Sequence, residues 1–163
     1  MPQLNRGFLM KVGRSVATAS VVLGLLVAVG FSASAAEAAP QLWAACGRSS
    51  PEDKVVATYS KAQLLCGNDK FGFRHIQNRH GDEWQQLAAI ENRNWRDIAD
   101  MALAKALDNP DRTVNQGRGT SCYSGQIYLV NFATGAIAKT VQPSVIVSND
   151  GRIITAFPGG GCA

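Results

Sequence analysis

Apolar residues recur at three- and four-residue steps through the middle of the chain, then give way to short β-rich runs after residue 110. The clearest helical stretch follows Asn94, a side chain suited to capping a helix start, with Asp97 near the positive end. Trp95, Ile98, Ala99, Ala102, Leu103, Ala106 and Leu107 share one face of it, a core stripe, and Asn109-Pro110 ends it. Two shorter helical pieces are predicted upstream. One covers residues 73–80 and stops at Gly81; the other runs from Glu83 to Ile90, capped by Asp82. Ser50-Pro51-Glu52-Asp53 carries the signals of a short helix start, and Val55 to Tyr59 has strand composition but is too short to assign by pattern. Beyond Pro110, the polar segment Asp111–Thr120 reads as a loop. Ser121–Val130, Ala136–Ser148 and Arg152–Phe157 read as strands separated by turn residues, among them the hairpin signal Asp150-Gly151. Pro143 marks an edge or a bulge. Helices followed by an antiparallel β-meander predict an α+β fold.

The first 35 residues stand outside this pattern. Arg6, Lys11 and Arg14 precede an apolar and glycine run from Val21 to Phe31, and small residues follow. This is the layout of a secretory signal peptide, cut near Ala35 or Ala38. The run is shorter than the roughly 20 residues of a membrane span. The predicted organisation is therefore a signal peptide (1–35), an irregular lead-in (36–54) and one domain (55–163), secreted, monomeric and without stable membrane association.

Removing the signal changes the charge picture. The whole chain has 16 Lys and Arg against 12 Asp and Glu. Three of the basic residues fall in the signal, leaving 13 against 12, a net charge near +1. A globally basic nucleic-acid binder is thus not supported, and any affinity for phosphate must come from a local site. The four cysteines, Cys46, Cys66, Cys122 and Cys162, all follow the signal. An even count in an exported chain reads as two disulfides, with three pairings open. Their spacing forms no CxxC motif, so no zinc site is expected there.

The chemistry concentrates in residues 71–84, Phe-Gly-Phe-Arg-His-Ile-Gln-Asn-Arg-His-Gly-Asp-Glu-Trp, which hold the two histidines of the chain, His75 and His80, among Arg74 and Arg79. Imidazoles move protons near neutral pH, and guanidinium groups grip phosphate. Metal-independent RNA cleavage needs a base for the 2′-hydroxyl, an acid for the 5′-oxygen, and cations or donors for the charge developing on phosphorus. On a regular helix His75 and Arg79 share a face, whereas His80 lies about 140° round from His75. Helix-terminal packing of His80 is the competing explanation. Polar groups in apolar strands are further candidates: Lys139 and Thr155, with solvated or β-forming roles as alternatives, and Tyr123 as a packing or base-stacking group. No cofactor is expected, and a zinc hydrolase would need a third ligand that two separated histidines do not supply.

The run from Phe71 to Gly81, the helices after it, and the last strand Gly-Arg-Ile-Ile-Thr-Ala-Phe-Pro together resemble the toxin ribonucleases of the barnase/EndoU/colicin/RelE group. The resemblance covers roughly Cys66 to Pro158. It implies N-terminal helices packed on a four-stranded antiparallel sheet, RNA (tRNA included) as substrate, and a cognate immunity protein as partner. It also implies His75 as the acid/base residue, Arg79 and His80 as phosphate or second acid/base groups, Thr155 facing them, and Lys139 as a weaker transfer. Arg74 and Tyr123, read from the sequence itself, are the other candidate substrate contacts with Lys139. Phe157 stands where such toxins often carry Tyr. A non-enzymatic, disulfide-stabilised envelope-binding or inhibitor module is the alternative.

Overall fold

The computed structural model of the chain describes residues 42–43 and 46–163. The expected signal peptide lies outside them. No helix among the described residues is long and apolar enough to cross a membrane.

The chain has an α+β fold. A hairpin, β1 (Val55–Thr58) and β2 (Gln63–Leu65), precedes two helices, α1 (Gly72–Glu91) and α2 (Trp95–Asp108). Six strands follow: β3 (Arg112–Gly117), β4 (Thr120–Ser124), β5 (Ile127–Val130), β6 (Ile137–Val141), β7 (Ser144–Ser148) and β8 (Ile153–Phe157). The main sheet is antiparallel in the order β3-β4-β7-β8, and β5 pairs with β6 as a separate hairpin. The helices cover one face of the main sheet, α1 against β8 and α2 against β4 and β7. Between them lies a core built on Phe73, Ile76, Trp84, Ile98, Leu103 and Leu107, closed by Val145 and Ile153. Trp84 also donates its indole N–H to the Ala156 carbonyl at 3.1 Å, fixing α1 to β8. Trp43 of the lead-in is buried edge-on against Phe73 and Trp95.

Several expectations change. Gly81 does not stop a helix; α1 runs through it for 20 residues and ends at Asn92, which adopts the left-handed conformation (φ 53°). An isolated glycine costs a helix only about 1 kcal/mol, less than burial of Trp84 and Leu87 on the continuing apolar face returns. The Asn94 cap forms as expected, accepting from the Arg96 N–H at 3.0 Å. Ser50 to Asp53 forms a turn, not a helix: the Ser50 and Glu52 carbonyls are taken by Arg74 and by the Gly67 N–H. Asp111–Thr120 is not a loop but mostly strand β3; its polarity is that of an exposed sheet edge. Each of the two long β segments breaks into two strands. The first breaks at Gly125, where an added Cβ would lie 2.8 Å from Lys105 Cγ and 3.0 Å from its carbonyl oxygen, so the backbone can pass α2 only as glycine. The second breaks at the buried Pro143. In β8, Thr155 pairs with Ile146 and Ile153 with Val147, which leaves Ile154 as an extra, bulged residue.

The cysteines pair as Cys46–Cys66 and Cys122–Cys162, closing spans of 20 and 40 residues. Chain-entropy arguments give each bond about 3 to 4 kcal/mol. The first holds the lead-in against the entry of α1, and the second holds the tail against β4.

Candidate functional site

Reading α1 as one helix explains where its histidines go. Phe73, Ile76, Trp84 and Leu87 form its buried stripe, and His80 falls at the vacant step between Ile76 and Trp84. Its ring therefore turns toward β8 and packs 5.4 Å from the Phe157 ring. His75 lies one position before Ile76, and the two imidazole centroids stand 6.0 Å apart in an edge-on arrangement. The continuous helix thus holds close together two rings that angular spacing alone sets apart.

Each ring is oriented through Nδ1. That of His75 lies 2.7 Å from the backbone carbonyl of Asp69. A carbonyl only accepts, so Nδ1 carries the hydrogen and Nε2 of the neutral ring is left as the acceptor. The Nδ1 of His80 lies 3.2 Å from Glu83 Oε1 and donates to that carboxylate. Both rings thus keep Nε2 for a ligand. His80 is 22% exposed and Glu83 52%, so the pair is open to solvent.

The remaining expected residues divide. Lys139, exposed on β6, lines a cavity of about 460 Å³ together with Glu83, Gln86, Leu87 and Pro158; Glu83, the partner of His80, is what joins that cavity to the histidines. Arg79 is exposed, with no side-chain hydrogen bond or ion pair among the described residues. Thr155 shares a strand face with Phe157, but its hydroxyl is buried without a hydrogen-bond partner, out of a substrate's reach. Arg74 is committed elsewhere: its guanidinium donates to the carbonyls of Gly67 (2.6 Å), Gly47 (2.9 Å) and Ser50 (2.6 Å). Tyr123 packs against the core, on the face of the sheet opposite Thr155. Among the described residues no group of three His, Cys, Asp or Glu side chains is placed to hold a metal ion.

Sequence reasoning missed two partners. Glu83 lies three residues after His80, a spacing that pairs side chains on a helix surface and was legible once the helix was read unbroken. The Asp69 carbonyl had no signal, since any residue could present it.

No protein-family model matches the sequence. Two curated Mycobacterium tuberculosis proteins are similar to it, MT0764 of strain CDC 1551 / Oshkosh and Rv0739 of strain H37Rv, both named as uncharacterized. Each is 36% identical over 138 residues, covering 73% of this chain and 50% of the relative. The chain therefore spans about half the length of the curated relatives it matches.

Proposed function

We propose that the protein is a secreted, metal-independent ribonuclease of the transesterifying kind. The observation that carries this reading is the imidazole pair: two rings 6.0 Å apart, each with Nδ1 engaged and Nε2 available. One phosphate, hydrogen-bonded at about 2.8 Å on either side, spans such a gap. His75 Nε2 takes the proton of the ribose 2′-hydroxyl. The 2′-oxygen then bonds to phosphorus, and the bond from phosphorus to the 5′-oxygen breaks. His80, protonated on both nitrogens, gives its Nε2 proton to that leaving oxygen. The products are a 2′,3′-cyclic phosphate and a free 5′-hydroxyl. Arg79 and Lys139 supply positive charge to the crowded phosphorus centre. The two disulfides suit an oxidising compartment, in keeping with export. The likeness to the barnase/EndoU/colicin/RelE toxins adds a cognate inhibitor to this proposal.

The test incubates the oxidised protein, starting near Ala36, with total RNA in EDTA. Wild type yields cyclic-phosphate ends, and His75→Ala loses at least about a hundredfold in rate. A folded wild-type protein that leaves RNA intact overturns the reading and makes a non-enzymatic binding module the leading one.

A further inference from the structure

The mechanism above leaves one flank of α1 unused. Bordered by the first half of α1, the start of α2 and the segment after Cys46 is a cavity of about 540 Å³, within the roughly 300–1,000 Å³ usual for ligand pockets. Its lining includes Arg48, Arg74 and Arg96, the Phe73 ring, and the amides of Gln77 and Asn78, with no Asp or Glu among the described residues.

The three guanidinium groups differ. Arg74 is engaged by the Gly67, Gly47 and Ser50 carbonyls and serves as a wall. Arg96 lies over the rings of Phe73 and Trp95, at 5.3 and 5.5 Å, and its Nε is buried with no hydrogen-bond partner. Arg48 is exposed, and its side chain has no hydrogen bond or ion pair among the described residues. Positive charge held beside aromatic rings, with no carboxylate among the described lining residues, favours an anion. Planar stacked guanidinium groups match the oxygens of a phosphate in particular.

We propose that this hollow is a second phosphate subsite. Arg96 and Arg48 grip an RNA backbone phosphate adjoining the scissile one, and Gln77 and Asn78 serve as neutral donors at its rim. The proposal rests on the ribonuclease reading for its ligand. Asp69 links the two sites: its side chain accepts from Asn78 Nδ2 at 3.0 Å, while its carbonyl accepts from His75. A strand bound at the histidines therefore meets the hollow directly across Asp69.

Two probes separate the subsite from the nuclease reading: an uncleavable, fluorescently labelled 2′-O-methyl RNA decamer for binding, and a cleavable decamer set against a dinucleoside monophosphate for turnover. With Arg48→Gln/Arg96→Gln, decamer affinity should fall about tenfold. The slope of log affinity against log salt should shrink by about 0.7, the value of one single-strand phosphate contact. Loss of kcat/KM on the cleavable decamer should exceed that on the dinucleoside monophosphate by about tenfold. Arg48→Gln alone, an exposed change that leaves folding intact, should show a smaller loss in the same direction. Unchanged decamer affinity and slope overturn the subsite, as do a wild type that fails to bind the decamer and an equal loss on both cleavable probes. Binding that depends on these arginines without any cleavage leaves the subsite standing and removes the nuclease reading. Cleavage indifferent to them does the reverse.

Discussion

The two flanks of α1 are held by different means. On the histidine flank the partners are local: His75 reaches a carbonyl six residues away and His80 a carboxylate three away. On the arginine flank they are distant. Arg74 reaches the Gly47 and Ser50 carbonyls across 27 and 24 residues, in a segment itself tied down by Cys46–Cys66. The imidazole pair therefore depends on one helix, the turn leading into it and one facing ring, whereas the arginine hollow exists only when lead-in, disulfide and both helices are assembled. Substitutions on the first flank should change rate and spare stability; on the second, stability should move first.

The largest test of that contrast is His75→Ala, expected to lower RNA cleavage by about 10²–10⁴ while its stability in urea unfolding stays within about 0.5 kcal/mol of wild type. A parallel loss of stability would break the comparison. Next is Cys122→Ser/Cys162→Ser, which should cost about 4 kcal/mol in urea unfolding. Cys46→Ser/Cys66→Ser should cost about 3, since its span is the shorter. An inverted order would mean that anchoring of the lead-in outweighs chain entropy. Arg74→Gln should cost about 1–3 kcal/mol by stranding its carbonyl acceptors, against about 0.5 or less for the exposed Arg79→Gln. Gly81→Ala should stabilise by about 0.5–1 kcal/mol, because a Cβ there meets nothing within 4 Å and the helix is continuous; destabilisation in a melting curve would argue for a helix broken at that point.

The smallest effects are those of pH. The Ser60 N–H bonded to Asp108, and the Gln126 N–H bonded to Asp111, hold both carboxyls below the usual carboxylate range. Groups depressed on folding stabilise above their unfolded value, about 3.9, and lose that contribution as the pH falls through their folded values. Tm should therefore decline below about pH 4, and less steeply in Asp111→Asn. Burial, reinforced by the hydrogen bond to Asp100, pushes the Tyr59 hydroxyl far above its usual range. That proton is kept in the folded state and lost in the unfolded one above about pH 10. Stability should thus fall on the alkaline side too, and Tyr59→Phe should flatten that limb.

What was legible in the sequence was what depends on periodicity and near neighbours. The α2 stripe and its Asn94 cap, the α+β class and the strand-rich C-terminal half all follow from spacing of that kind. The error at Gly81 came from weighting a local breaker over the apolar positions on both sides of it. β3 escaped because an edge strand need not alternate apolar with polar. Arg74 and Thr155 were read by residue type, but what they do is set by carbonyls and strand faces that only the folded topology supplies. Arg48 and Arg96 lie 48 residues apart and had no pattern to join them.

The extra residue in β8 also sets which kinds of sequence change the protein can absorb. Beyond Ile154 each residue keeps its face of the sheet, so exchanging one side chain for another at 155 or 157 alters contacts but not orientation. Deleting Ile154 would only restore one-to-one pairing with β7, leaving Ile153 opposite Val147, Thr155 opposite Ile146 and Phe157 opposite Ser144. Deleting Ala156 would instead send either Thr155 or Phe157 to the core face, opposite Val145. In the lineage of such a chain, the bulge is the place in this strand where a one-residue deletion can be absorbed, whereas a deletion beyond it turns part of the wall of the site inside out.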